Sequence, residues 1–233
     1  LRTPGSWELL EAEISEIFES IQGEGILVGV RQLFIRFRRC NLSCSYCDTT
    51  TTPDCHDRVN NAVLRNPVSA EYVLGVIEGM TKIHSVSLTG GEPLLYADFI
   101  KQLKSPVPLY LESNMTLPDA ARKVRNNVGF VAGDFKLSSA VKDWEGIREK
   151  TIETFKVLRN TRKRLTFAKI VVPEKFSSDE VLWISEQIGN YVCSIVLQPV
   201  FGAKNLKELM ELQKRIEHDV RIIPQVHKYL GVM

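Results

Sequence analysis

Apolar residues in this chain arrive in short β-type runs separated by stretches with helical spacing. QLFIRF (32–37) reads as a strand. Ser69 offers an N-cap to AEYVLGVIEGMTK, in which Val73, Val76, Ile77 and Met80 fall on one helical face. HSVSLT follows as a strand ending at Gly90 and Gly91. The same reading gives helix over 98–104, strand over 108–113, helix over 118–124 and strand over 129–134. The second half predicts helix at 144–158, strand at 165–172, and helix at 178–188 capped by Ser177 or Ser178. Strand 192–197, helix 206–216 and strand 220–226 complete the pattern.

Strands alternating with helices of this length are βαβ units, hence a parallel sheet with right-handed crossovers. About six units fit between residues 30 and 230, too few for a closed eight-unit barrel. A doubly wound sheet or a partial barrel remains, and in both the ligands collect at the C-terminal ends of the strands. Residues 48–67 are polar without a clean period and read as a long functional loop. With no repeat, low-complexity tract or linker, residues 1–233 are expected to form a single domain.

Composition narrows the classes. The chain is 44% hydrophobic, 25% charged and 8% aromatic, with 30 basic and 28 acidic residues for a net charge of +2. That is globular, and it lacks the basic excess of a nucleic-acid binder. No apolar run approaches the ~20 residues of a membrane span, and LRTPGSWELLEAEISEIF carries acids where a signal peptide is apolar, so a cytoplasmic location is expected. Five cysteines do not make a disulfide framework. Their placement matters more: Cys40, Cys44 and Cys47 are clustered, while Cys55 and Cys193 stand apart.

Three soft thiolates spaced C-x3-C-x2-C suit zinc or an iron–sulfur centre. A structural zinc needs a fourth ligand, which Cys55 or His56 could supply. A 4Fe–4S cluster on three cysteines instead leaves one iron open to a small chelating molecule. The spacing, with Tyr46 before the last cysteine, resembles the signature of the radical S-adenosylmethionine (SAM) superfamily. That resemblance implies a partial (β/α)6 barrel and a cofactor whose amino and carboxylate groups sit on the open iron. Leu88-Thr89-Gly90-Gly91-Glu92-Pro93 closes a predicted strand and is similar to the superfamily's GGEP segment at the methionine part of the cofactor. Its glycines allow close backbone approach, and Glu92 offers an acceptor for an ammonium.

Further segments narrow the resemblance. SIQGEG (20–25) places a carboxylate between two glycines, a turn suited to a flat heterocycle with N–H donors. Arg36 lies inside an apolar run, where a guanidinium needs an anion: a substrate carboxylate or an internal acid. Together with FIRF, RCNLSCSYCDT, LTGGEP, LESN, LQPV and QVHKYLGVM, these resemble the 7-carboxy-7-deazaguanine synthase family.

The resemblance implies that Gln22, Gly23 and Glu24 contact a pterin, that Arg36 holds its carboxylate, and that Thr89 and His227 complete the substrate pocket under a closing C-terminal tail. It places Thr49 beside a magnesium ion, and Tyr46, Gly90, Gly91, Glu92, Glu112, Ser113, Asn114, Lys136 and Gln198 around SAM. The implied reaction begins when the reduced cluster cleaves SAM. A 5′-deoxyadenosyl radical then takes hydrogen from C6 of 6-carboxy-5,6,7,8-tetrahydropterin, and the ring contracts with loss of ammonia, on the route to queuosine- and archaeosine-type nucleosides. No protein side chain is named as catalytic. A flavodoxin- or ferredoxin-class electron donor and a homodimer are also implied, with no direct nucleic-acid or membrane contact.

Four places depart from the family pattern. Arg38-Arg39 stands where a small residue and glycine are usual, LESNM replaces ETNG, Asp134-Phe135-Lys136 replaces Ser-Pro-Lys, and the 48–67 loop, with Cys55 and His56 in it, is unusual. Two rivals therefore stay open: a paralogue using SAM on another pterin or a peptide, and a zinc-stabilised binding module.

Overall fold

The computed structural model describes residues 10–232. The first nine residues of the acidic N-terminal stretch and the terminal Met233 lie outside them. In chain order the elements are β1 (Glu11–Ala12), β2 (Ile14–Ile21), β3 (Arg31–Phe37), β4 (Cys55–Asp57), β5 (Ala62–Leu64), β6 (Val68–Ser69), α1 (Ala70–Gly79), β7 (Ser85–Gly90), α2 (Ala97–Gln102) and β8 (Leu109–Ser113). They continue with α3 (Pro118–Val124), β9 (Val128–Asp134), α4 (Trp144–Val157), β10 (Leu165–Val172), α5 (Ser178–Ile188), β11 (Ile195–Pro199), α6 (Leu206–Arg215), β12 (Val220–Ile222) and α7 (Val226–Leu230). No helix among the described residues is long and apolar enough to cross a membrane.

One sheet carries the architecture, in the order β12-β11-β10-β9-β8-β7-β3-β2-β4-β5. From β3 to β12 every neighbour is parallel and follows its predecessor in sequence. A doubly wound sheet requires a point where strand order reverses. Among the parallel strands β3 and β7–β12 there is none, and β5 and β12 leave the sheet unclosed, so the fold is the partial barrel, with α1–α6 as its six crossovers. Crossovers of one hand that never reverse put their helices on one face.

Side-chain parity assigns the two faces. Leu33, Ile35, Val86, Leu88, Leu109, Leu111, Ile170 and Leu197 pack with Val73, Ile77, Phe99, Phe155, Ile184 and Leu209 from the helices in the main core. Tyr110, Ala132, Phe167 and Val196 point the other way and form a small second cluster with Ile26 and Leu27. Helix starts follow the expected chemistry: Ser69 Oγ accepts from Tyr72 N at the head of α1, and Ser177 Oγ from Glu180 N at the head of α5.

Three expectations are corrected and one strand is added. ISEIFESI, unread in the sequence because its buried Ile14, Ile17 and Phe18 break strict alternation around a register shift between Ile14 and Glu16, forms β2 antiparallel to β3. The 48–67 stretch is not all loop: β4 and β5 form a hairpin that extends the sheet past β2. Its turn is fixed by Asp57, which accepts from Val59 N, Asn60 N, Asn60 Nδ2 and Tyr72 Oη, a polar anchor that hydropathy does not reveal. The predicted strand at 192–197 begins later, at Ile195, because a 3-10 turn over Gly189–Tyr191 extends α5. The last predicted strand stops at Ile222 and Val226 instead opens α7. Pro224 lacks the N–H that continued pairing needs.

Arg164, 9% exposed, closes the bottom of the sheet. Its guanidinium donates to the carbonyls of Leu158 (3.2 Å), Arg159 (2.9 Å) and Arg125 (2.6 Å), tying the ends of α4 and α3 to the start of β10. Arg164→Met is expected to cost on the order of 3 kcal/mol in urea unfolding, since it strands several buried carbonyls at once, with Arg164→Lys recovering part of the loss.

Candidate active site

The inner face of the sheet changes character along its strands. In six parallel strands a residue in the middle of the face is followed, two positions on, by a polar one: Phe34 by Arg36, Ser87 by Thr89, Tyr110 by Glu112, Ala132 by Asp134, Phe167 by Lys169 and Val196 by Gln198. Tyr110, Ala132, Phe167 and Val196 plug the deeper end. The second residue of every pair borders a cavity of about 380 Å³ at the C-terminal ends of the strands.

Cys40, Cys44, Tyr46 and Cys47 line the same cavity from the loop that follows β3. Ser45 N donates to Ala140 O (2.9 Å) and Cys47 N to Cys44 O (3.2 Å), pinning the loop against the segment after β9. Burial pushes the Cys40 and Cys44 thiols up. The glycine pair sits directly under this loop. Glu92 N donates to Arg39 O (2.7 Å), and a Cβ on Gly91 would lie 2.0 Å from that carbonyl, so only glycine permits the approach. Glu92 does not border the cavity. Fully buried, it accepts from Leu94 N (3.0 Å), Ser113 Oγ (2.8 Å) and Asn114 N (2.8 Å), and burial outweighs these donors to raise its pKa to about 7. It therefore ties the end of β7 to the end of β8. Asn114, held there, turns its Nδ2 toward Cys40 Sγ (3.8 Å) and Asn41 Oδ1 (2.9 Å).

The cysteine loop suits a cluster better than a single ion. Among the described residues no three His, Cys, Asp or Glu side chains gather as one ion requires. A four-iron cube instead takes its thiolates from separate corners, and three thiols around one cavity meet that demand. The proposed fourth zinc ligands are elsewhere: Cys55 is fully buried in the main core, and His56 pairs with Glu16 in the β2–β4 ladder.

At the opposite wall, the turn after β2 is built on Gln22. Its Nε2 donates to Gln32 Oε1 (3.0 Å) and Glu112 Oε1 (2.8 Å), and its Oε1 accepts from Glu24 N (2.9 Å). Thr89 Oγ1 reaches the other oxygen of Glu112 (2.8 Å). Glu24 accepts from Lys169 Nζ (2.5 Å) and Gln225 Nε2 (2.8 Å). Burial pushes its carboxyl up, but the ammonium of Lys169 more than reverses this and holds it at about 2. Arg36 finds an internal acid, with Nε on Glu16 Oε2 (2.9 Å) and its guanidinium over the Phe18 ring, while still bordering the cavity. Phe18 and Phe34 stack nearly parallel beside it, centroids 5.1 Å apart.

The sequence reading missed Lys169, Asp134, Gln225, Phe18 and Phe34, all of which border the cavity. Lys169 was detectable, as the charged residue inside the apolar strand LTFAKIVV. Asp134 Oδ2 accepts from Lys136 Nζ (2.8 Å) and lies 3.6 Å from Lys169 Nζ, while its Oδ1 is buried without a partner. The Lys136 ammonium also lies over the Tyr46 ring, 5.2 Å from its centroid. Gln198 Oε1 is likewise buried and unpartnered, as is Tyr46 Oη. Thr49 borders the cavity next to Asp48, which pairs with Lys228 of α7 (2.6 Å).

Comparison with known proteins places this geometry. Residues 34–188 match the Radical SAM superfamily. The chain is 55% identical over 227 residues to a 7-carboxy-7-deazaguanine synthase of Archaeoglobus fulgidus, covering 96% of this chain and 100% of that one. It is 40% identical to the Geobacter sulfurreducens protein of the same name, over 94% and 97% of the two chains. A crystal structure of QueE from Escherichia coli superposes with a TM-score of 0.58 at 21% identity, covering 96% of this chain and all of the other. The zinc-module reading falls with these matches, and the paralogue reading gives way to the full-length identity.

Helix α7 closes over the turn: Val226 N donates to Gly23 O (2.8 Å), and a Cβ on Gly23 would lie 2.3 Å from His227 Nδ1. Gly23→Ala is expected to unseat α7, raising amide exchange over 226–232 by at least about tenfold, the equivalent of ~1.4 kcal/mol. His227→Gly added to it, which removes the Cβ at 2.5 Å as well as the ring, is expected to restore part of the protection. Unchanged exchange in Gly23→Ala would show that the helix does not depend on this contact.

Proposed function

The chain belongs to the radical SAM superfamily and, within it, to the 7-carboxy-7-deazaguanine synthases, and we propose that it converts 6-carboxy-5,6,7,8-tetrahydropterin to 7-carboxy-7-deazaguanine with the roles below. It is a radical SAM enzyme, and such enzymes use a 4Fe–4S cluster and SAM. The observation that carries the substrate reading is the 55% identity to the Archaeoglobus fulgidus enzyme across 96% of this chain.

Cys40, Cys44 and Cys47 would hold the cluster. Tyr46, Gly90, Gly91, Glu112, Ser113, Asn114, Lys136 and Gln198 border the cavity and are the residues we assign to SAM, with Glu112 also bracing Gln22 and Thr89, and Glu92 acts behind the wall by fixing Asn114. Bound together, these cofactors supply a carbon radical that removes hydrogen from the substrate. Everything else is orientation and exclusion of water. Gln22 and Glu24 present acceptors to the donor edge of the pterin. Thr89 adds a hydroxyl, and His227 with α7 covers the ring. Arg36, braced by Glu16, keeps N–H groups free for the substrate carboxylate. Thr49 is the residue we assign to a magnesium ion against that carboxylate, where it would act as an electrophile. An external one-electron donor of the flavodoxin or ferredoxin class would supply the electron.

Anaerobically purified protein is expected to carry ~4 irons, with a cluster signal that Cys44→Ala abolishes. With reductant, SAM, magnesium and the carboxylated pterin it should yield the deazaguanine. Zinc without iron would overturn the enzyme, and 5′-deoxyadenosine released only with another substrate would overturn this substrate. Arg36→Ala is expected to raise the KM for the pterin by about tenfold or more, the loss of one charge-assisted contact, while uncoupled SAM cleavage changes little. An unchanged KM would remove Arg36 from the substrate.

A further inference from the structure

The cavity contains a buried run of alternating charges that no motif marks. Lys169, at the centre of β10, touches Glu24 (2.5 Å) and stands 3.6 Å from Asp134, which Lys136 holds at 2.8 Å. The side chains of all four are between 11% and 17% exposed. The pairs are unequal. Asp134 keeps a cation if Lys169 is removed. Glu24 keeps no ammonium in contact: it retains the neutral amide of Gln225 on Oε1, with His227 and Lys136 acting on it only from further away.

The orientation of Glu24 is fixed from three sides. Its backbone N–H is held by Gln22, one oxygen by Lys169 and the other by Gln225. Each carboxylate oxygen has a second lone pair, and the side chain borders the cavity. Two acceptors side by side match two adjacent N–H donors. We propose that Lys169 is a positioning residue that keeps Glu24 a doubly accepting carboxylate, and so makes the site select ligands with paired N–H donors, such as the 2-amino-4-oxo edge of a pterin. This rests on the pterin reading above.

The groups facing Glu24 make Lys169 decisive. Behind it stand Asp134 of β9 and Glu112 of β8, both acids, and Lys136 is committed to Asp134. His227 approaches from α7. Burial raises the carboxyl, and Lys169 is the largest influence opposing it. Without that ammonium, Glu24 takes up a proton as pH falls below neutrality. One oxygen then becomes a donor and confronts a donor on the ligand. With Lys169 present, a carboxyl at about 2 stays ionised across the working range, and binding is flat in pH.

The test is equilibrium binding to the anaerobically reconstituted enzyme with SAM, at pH 5.5 and pH 7, where the ring N–H groups of the ligands stay protonated. The ligands are 6-carboxypterin and 6-carboxylumazine, which has a carbonyl in place of the 2-amino group. Wild type is expected to bind the pterin equally at both pH values and to prefer it over the lumazine. K169M and K169Q should bind the pterin at least about tenfold more weakly at pH 5.5 than at pH 7, and lose the preference at pH 5.5. K169R should restore flat, selective binding. K169Q, which keeps length and a hydrogen bond, decides the outcome if K169M does not fold. If wild type does not bind 6-carboxypterin, the pterin reading fails. If wild type binds and prefers it while K169Q matches wild type at both pH values, the role of Lys169 alone fails.

Discussion

The period of two along a β-strand governs this site more than any single contact. Six parallel strands deliver one polar side chain each to the cavity, two residues beyond the residue that lies deeper on the same face. Register aligns them: Arg36 lies opposite Thr89, and Asp134 opposite Lys169. A slip of one residue in any strand would exchange its cavity residue for a core residue, burying a polar or charged group among the helices. The hydrophobic contacts on the helical face thus fix the chemistry on the other. Function and stability are written on alternate residues of the same strands.

Much of the fold was legible because the parallel strands and the helices between them speak plainly in hydropathy. Pro118–Val124, Leu165–Val172 and Ser178–Ile188 lie where their patterns place them. The parts that were not legible are held by polar anchors and by edges. The β4–β5 hairpin has too few apolar residues to show a period and depends on the four donors around Asp57. Strand β2 is masked by Glu16 and Glu19, whose partners Arg36, Arg58 and Arg31 come from other strands or from the turn after β4. In the site, the residues singled out from named motifs, other than Glu92, border the cavity, whereas Lys169 lies in no motif and Asp134 is noted in the sequence only as a departure from one. Their meaning comes from what lies beside them in a neighbouring strand.

The departures from the family pattern also acquire physical roles. Arg38 and Arg39 both reach Glu13, at 3.0 and 3.5 Å, and so fasten the entry to the cysteine loop onto the segment before β2. Met115, standing where the related pattern has glycine, adopts a left-handed backbone (φ 59°) and is fully buried in the main core. A non-glycine residue there costs about 1 kcal/mol or more, which its burial against apolar neighbours offsets. Asp134 adds an acid between two lysines, so the cavity has nearly balanced charge before any ligand enters.

That balance has a thermal consequence. Taking four charged groups out of water is expensive at low temperature, where ion hydration is strong. The expense falls on heating because the hydration of charged groups carries a large negative entropy. The Glu24–Lys169–Asp134–Lys136 run therefore weakens less than the surrounding apolar packing as the molecule warms. Near the upper end of its stable range, the polar lining of the cavity should outlast the looser outer elements, and the binding surface should keep its shape while the periphery begins to fray.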